Sequence, residues 1–270
     1  MAKLKVVVAG AGGRMGQANI RAIAGAENLE ISGALDRDGA PAIGKDAGLL
    51  AGIGEIGVTV TADAGTGLDG AQAIIDFTTP AASVALAEVS AARGLIHIIG
   101  TTGCSPEDDA ALVASGKGGA IIVKAGNFSL GINLLVALVS KAAAALGPGW
   151  DAEILEMHHN KKVDAPSGTA LMLGQAVAAG HGVDLDEHAV MAREGHTGAR
   201  RPGEIGFATL RGGNVVGDHT VFLVGPNERL ELSHVAQDRA LFADGALKAL
   251  LWARAQAPGI YDMADVLGLN

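Results

Sequence analysis

The chain opens on an order of elements that few folds accommodate. Leu4-Lys5-Val6-Val7-Val8-Ala9 reads as a buried strand, Gly10-Ala11-Gly12-Gly13-Arg14-Met15-Gly16 as a glycine loop, and the stretch to about Ala24 as a helix. A second strand runs near Leu29 to Leu35 and ends on Asp36-Arg37. Strand, glycine loop, helix, strand and terminal acid form the mononucleotide-binding half of a doubly wound parallel sheet. Its glycines let the backbone approach a pyrophosphate, the helix N-terminus meets the negative charge, and the acid receives a ribose hydroxyl. The spacing departs from G-x-G-x-x-G: the third position falls on Met15, and the glycine comes at Gly16. Alone, such a loop is also an ordinary tight turn of a nucleotide-free α/β protein. The strand before it, the helix after it and the acid beyond it favour the dinucleotide.

More βα units follow. Ala73 to Thr78 reads as a strand closed by Pro80, Ile96-His97-Ile98-Ile99 ends at Gly100-Thr101-Thr102-Gly103, and Ala120 to Val123 leads to Ala125-Gly126-Asn127-Phe128-Ser129. Each turn lies at the carboxyl end of a strand, where open parallel sheets bind ligands. Thr101, Thr102 and Asn127 are candidates to hydrogen-bond a nicotinamide or its ribose, and Phe77 and Phe128 to wall the crevice. His97, inside an apolar strand, is expected to be a satisfied interior histidine, and Cys104 structural filler. Arg14 is either a phosphate contact or a solvated helix residue.

From about Leu130 the pattern changes. Gly131 to Leu146 is an apolar helix, Asp151 to Met157 is strand-like, and Pro166-Ser167 starts another helix with Ser167 as N-cap. Glu204 to Leu210, Val215 to Val224 and Leu230 to Val235 alternate as antiparallel strands do. His188 to Gly203 reads as a long loop, and Arg239 to Ala257 as an amphipathic helix returning to the first domain. The expected fold is α/β. An N-terminal Rossmann-like doubly wound parallel sheet (1–129 with 239–270, dinucleotide-binding) is joined to a C-terminal α+β domain with a mixed or antiparallel sheet (130–238, substrate-binding and oligomerisation).

Composition removes other classes. At 270 residues the chain can bury a core in each of two domains. Its apolar runs fall short of the roughly 18–20 residues of a membrane span. The N-terminus lacks a signal-peptide h-region, and a single cysteine allows no intrachain disulfide, so a cytoplasmic location is expected. A net charge of −9 argues against a nucleic-acid partner. His181, His188 and His196 lack metal-ligand spacing, and Ser167 lies outside a G-x-S-x-G elbow, so neither a metal site nor a hydrolase nucleophile is expected.

The chemistry concentrates in Glu156-Met157-His158-His159-Asn160-Lys161-Lys162-Val163-Asp164-Ala165-Pro166-Ser167-Gly168-Thr169. An imidazole gives or takes a proton near neutral pH, and a lysine pairs with an anion. The amides of Gly168 and Thr169, heading a helix, point at a carboxylate. The stretch reads as a site for a small acidic molecule that is protonated during reaction.

The glycine loop, Gly100-Thr101-Thr102-Gly103, Asn127-Phe128-Ser129 and the His158 to Thr169 block resemble the dihydrodipicolinate reductase (4-hydroxy-tetrahydrodipicolinate reductase) family of lysine and diaminopimelate synthesis. Gly212 to Thr220, Ser233-His234 and Arg239 extend the likeness over nearly the whole chain. One departure is Gly126, where the family usually has proline; it puts cofactor affinity in question rather than reaction type. The resemblance implies that His158 is the proton donor and Lys162 the second catalytic group. By the same resemblance His159, Gly168 and Thr169 hold substrate carboxylates, and Gly10, Ala11, Gly12, Gly13, Arg14, Met15, Asp36, Gly100, Thr101, Thr102, Ala125, Gly126, Asn127 and Phe128 contact the dinucleotide. It also implies a homotetramer acting on a dicarboxylate heterocycle. Asp36 favours the ribose diol of NADH, whereas Arg37 can bind the 2′-phosphate of NADPH, so dual use with some preference for NADH is expected. Two alternatives stay open: a dinucleotide-binding sensor without catalysis, and a reductase of another small imino or keto acid. A sensor has no need of the His158–Lys162 pair.

Overall fold

A computed structural model describes residues 2–269. The described residues pack into two compact units, one of 2–129 with 240–268, the other of 130–239 with Leu269. Arg239, grouped by sequence with the first unit, packs with the second. No helix among the described residues is long and apolar enough to cross a membrane.

The first unit begins with β1 (Leu4–Ala9), α1 (Arg14–Gly25), β2 (Leu29–Leu35), α2 (Ala47–Ala51), β3 (Val60–Thr61) and α3 (Ala64–Gly67). It continues through β4 (Ala73–Asp76), α4 (Pro80–Arg93), β5 (Ile96–Ile99), α5 (Pro106–Lys117) and β6 (Ile121–Lys124). β4 and β5 are buried at every position, the mark of strands covered on both faces. Val7, Ile74 and Leu95 belong to one apolar cluster, Ile99, Leu112 and Ile122 to another.

The second unit holds α6 (Leu130–Leu146), β7 (Asp151–His158), α7 (Gly168–His181), α8 (Leu185–His188), β8 (Ala189–Val190), β9 (Ile205–Arg211), β10 (Gly217–Val224) and β11 (Arg229–Ala236). Its five-stranded sheet runs β11-β10-β7-β9-β8. Here β7 alternates between buried and less buried positions, because one face packs under α6 and α7 and the other does not. Ile132, Val139, Leu173, Val177, Ile154, Val221 and Leu223 form that core.

The chain then returns as α9 (Ala240–Ala253), β12 (Gly259–Tyr261) and α10 (Met263–Leu267), with β12 pairing alongside β6. The first sheet therefore has seven strands, ordered β12-β6-β5-β4-β1-β2-β3 and all parallel. Its order reverses at β1, the topological switch point of a doubly wound sheet.

Two expectations need correction. β9 alternates as an antiparallel strand would, yet it runs parallel to β7, since α7 intervenes and carries the chain back to the same end of the sheet. The 188–203 segment is not only a loop. It contributes β8, and its Arg193 and Arg200 bind the carboxylate of Glu153 at 2.8–3.1 Å. The sequence reading also missed β12, whose three residues are too few to show a period.

Candidate active site

Sheet pairing gathers four polar side chains at one end of the second sheet. Glu156 and His158 are two apart on β7 and therefore share a face. Register places Arg211 of β9 opposite His158 and His219 of β10 opposite Glu156. Nδ1 of His158 lies 2.6 Å from Glu156 Oε2. Arg211 donates to both carboxylate oxygens, at 2.7 and 3.0 Å, and the Ser167 amide donates to Oε1 at 3.0 Å. One carboxylate thus holds both the histidine and the start of α7.

The charges follow from these contacts. Burial would raise the Glu156 carboxyl, but Arg211, His158 and the Ser167 amide outweigh it and hold the group below the usual carboxylate range. His219 is pushed down to about 4, by burial first and then by the charge on His158. It is neutral near pH 7 and meets the Ser167 hydroxyl at 3.1 Å. The two imidazoles pack edge to face with centroids 5.1 Å apart.

The loop from β7 to α7 carries Lys162, whose ammonium lies 2.8 Å from the Asp164 carboxylate. That hydrogen bond draws Asp164 below its ordinary pKa. Arg211 also donates to the Asp164 carbonyl at 2.6 Å, tying the loop to Glu156. Ala165–Pro166 is a cis peptide. Ser167 caps α7 by accepting from the Ala170 amide at 3.1 Å, and Gly168-Thr169 form the first turn of that helix. Gly168 is exposed, with nothing within 4 Å of where a Cβ would sit. His159 approaches Arg239 through Nε2 at 3.1 Å.

In the first unit, Gly13 is the N-cap of α1, and among the described residues no side-chain cap bonds to that helix start. Unclaimed helix amides behind a glycine loop fit a pyrophosphate. The displaced third glycine has a steric cause, because a Cβ on Gly16 would meet Gly10 O and stand 2.8 Å from Ala11 Cα. Asp36 accepts from the amides of Gly12 and Arg37, each at 2.8 Å, so its carboxylate is oriented by the loop. Gly12, Gly13, Asp36, Arg37 and Lys45 line a cavity of about 340 Å³. These features suit the adenosine end of a dinucleotide.

Along the other strand ends, Phe77 and Phe128 stack at 5.6 Å, but Phe128 is fully buried. Thr101 is turned inward: its hydroxyl accepts from the Thr78 amide at 3.1 Å and meets Ser83 Oγ at 2.7 Å. Its hydroxyl is thus committed to the fold, while Thr102 is exposed. Asn127 Oδ1 accepts from the Ser129 amide at 2.8 Å, and Ala125 donates its amide to Ile99 O. Gly126 is exposed with no atom near its absent Cβ, so crowding does not require glycine in place of proline. His97 sits 3.3 Å from Asp76, fully buried.

The structure thus brings His158, Lys162 and the Gly168-Thr169 turn into one network, through Glu156 and Arg211, to which the sequence reading gave no role. Glu156 was legible from strand period alone. Arg211 and His219 were not, because only strand register sets them beside His158.

Comparison with known proteins places the chain. The family model for the N-terminus of dihydrodipicolinate reductase matches residues 4–128, and that for its C-terminus residues 131–267. A 4-hydroxy-tetrahydrodipicolinate reductase of Rhodopseudomonas palustris (strain BisA53) is 56% identical over 270 residues, covering 100% of this chain and 98% of the relative. One from Rhizobium rhizogenes is 57% identical, covering 99% and 97%. Among solved structures, a dipicolinate-bound dihydrodipicolinate reductase from Paenisporosarcina sp. TG-14 shares the fold, with a TM-score of 0.77 at 22% identity over 97% of this chain and 98% of that one. With both halves matched in order and full-length relatives above half identity, the chain belongs to the dihydrodipicolinate reductase family.

Proposed function

We propose that this chain is the NAD(P)H-dependent reductase that converts 4-hydroxy-tetrahydrodipicolinate, by way of dihydrodipicolinate, to tetrahydrodipicolinate in the diaminopimelate route to lysine. The observation that carries the reading is the single carboxylate, Glu156, that joins His158 to the head of α7. Family membership gives the reaction class, and that joint supplies what the reaction needs: a proton donor beside an anion-binding helix start.

The first unit binds the nicotinamide dinucleotide, which when bound supplies a hydride. Gly10, Ala11, Gly12, Gly13, Arg14 and Met15 take the pyrophosphate, and Asp36 and Arg37 the adenosine ribose. Gly100, Thr102, Ala125, Gly126, Asn127 and Phe128 frame the other half, with Thr101 contributing backbone only. The second unit binds the substrate. Gly168 and Thr169 receive one carboxylate at the positive end of α7, and His159 assists. Lys162 leaves Asp164 for the dicarboxylate and stabilises charge developing on the ring. His158 gives its proton to the ring carbon next to the position reduced.

Asp36 and Arg37 side by side support use of both cofactors with some preference for NADH. Comparable kcat/KM for the two is expected, and a preference for NADPH of a hundredfold or more would overturn it. Leu155, Met157, Leu210 and Phe222 share the sheet face away from α6 and α7, with Leu210 47% exposed. That apolar face supports a homotetramer, and light scattering that finds a monomer at micromolar concentration refutes it. The enzyme works in the cytoplasm. The deciding assay follows NADH oxidation with and without substrate made freshly from pyruvate and aspartate semialdehyde. Substrate-dependent oxidation is expected; its absence with intact NADH binding leaves a sensor instead.

A further inference from the structure

We infer that Glu156 is a positioning residue for the proton transfer, fixing the proton of neutral His158 on Nδ1 so that Nε2 alone faces the substrate. The inference rests on the assignment of His158 as donor given above. Four observations carry it. Glu156 is 1% exposed, and an ionised carboxylate is acceptor-only, so a 2.6 Å contact to Nδ1 requires a proton on that nitrogen. Arg211 and the Ser167 amide fill the remaining acceptor positions, so the carboxylate cannot swing away from the imidazole. Among the described residues Nε2 has no hydrogen-bond partner, and the His158 side chain keeps 11% of its surface exposed. Finally, a Cβ on Gly217 would stand 2.9 Å from Nε2, so glycine on the neighbouring strand leaves that nitrogen room.

The transfer balances. Imidazolium gives up the Nε2 proton as the new C–H bond forms, and the pair of electrons of the broken N–H bond stays on Nε2. The neutral ring keeps its Nδ1 proton against Glu156, and solvent restores the other. A carboxylate at Nδ1 stabilises the imidazolium and holds the ring angle through both states. Arg211 on β9 lies opposite His158, His219 on β10 packs edge to face with it, and Lys162 and Asp164 pair with each other on the loop before α7. Arg211 carries a fixed charge, spent on Glu156 and the Asp164 carbonyl, and His219 is neutral over the assay range. Lys162 is paired with Asp164. Glu156 is therefore the carboxylate that touches the His158 ring.

The test compares the pH dependence of kcat and kcat/KM for wild type, E156Q, H158Q and the double variant. Activity needs protonated His158, so it falls as pH rises. In E156Q the fall should come at lower pH, with kcat reduced about tenfold or more and NADH affinity unchanged. In the H158Q background E156Q should cost less than about twofold, because its effect runs through His158. An unmoved profile in E156Q beside an inactive H158Q overturns the role of Glu156 and leaves His158 in place. An active H158Q overturns the donor assignment itself. Nitrogen-15 NMR of histidine-labelled wild type needs no variant to fold: in its neutral form His158 should carry its proton on Nδ1, and an Nε2–H tautomer ends the proposal.

Discussion

Each unit buries one histidine against one carboxylate, and the two pairs do different things. In the first, His97 of β5 meets Asp76 of β4 at 3.3 Å, and neither side chain is exposed. Thr78 gives Asp76 its amide and hydroxyl at 3.0 and 2.6 Å, which closes the strand end. In the second, His158 meets Glu156 at 2.6 Å with an edge of the imidazole open. The same donor and acceptor serve as a structural tie where both ring nitrogens are sealed, and carry the proposed proton chemistry where one remains accessible. Strand burial decides which. β4 and β5 are covered on both faces, whereas β7 ends at the open rim of a sheet covered on one.

The contrast can be broken by exchanging what each pair is asked to do. H158Q should lower kcat by about 10²–10⁴-fold with NADH affinity, read by calorimetry, nearly unchanged. Wild-type turnover in that variant would end the mechanism. H97L should do the reverse: leaving Asp76 without its histidine costs about 3 kcal/mol in urea unfolding, while kcat per folded molecule stays within about twofold. A large loss of kcat at unchanged stability would mean that the first pair is not merely structural.

Acid sharpens the difference. The depressed pKa of His219, about 4 when folded, means that the unfolded chain takes up a proton first as pH falls. Stability contributed by this group is whole above about pH 6.5 and declines towards pH 4, by an amount on the order of 2–3 kcal/mol. Glu156 works at the lower end: its depressed pKa favours the fold above the ordinary glutamate range, and that contribution is lost as pH falls through the folded value. H219N, with nothing to titrate, should flatten the slope of the unfolding free energy between pH 6.5 and 4. A slope identical to wild type would show that the imidazole is not the group responsible.

Two smaller effects separate charge from hydrogen bonding at the proposed substrate site. K162M should lower kcat about tenfold and weaken a dicarboxylate inhibitor to a similar extent, since its charge acts in ground and transition states alike. Unchanged inhibitor binding would confine Lys162 to its ion pair with Asp164. T169V should raise the substrate KM about fivefold and leave kcat nearly as it was, the loss of one hydroxyl donor. A kcat effect larger than the KM effect would give Thr169 a part in the proton step.

How much of this was readable without coordinates depends on how far apart in sequence the interacting residues lie. The glycine loop, the acid at the end of β2 and the helix start at Ser167 are local patterns, and each stands where the sequence puts it. Glu156 and His158 are two residues apart on an alternating strand, so the sequence by itself determined that they share a face. It likewise determined a nucleotide-type parallel sheet, because continuous apolar strands between glycine turns have few other ways to bury both faces. It did not determine the direction of β9, since a period of two is the same in parallel and antiparallel pairing. That choice belongs to α7, which returns the chain to the end from which it started. Arg211 and His219 lie 53 and 61 positions beyond His158, and only the register of three strands sets them around it. A strand's own residues fix which face each side chain takes. Which foreign side chain meets it depends on hydrogen bonds formed between strands, and those exist only once the sheet has closed.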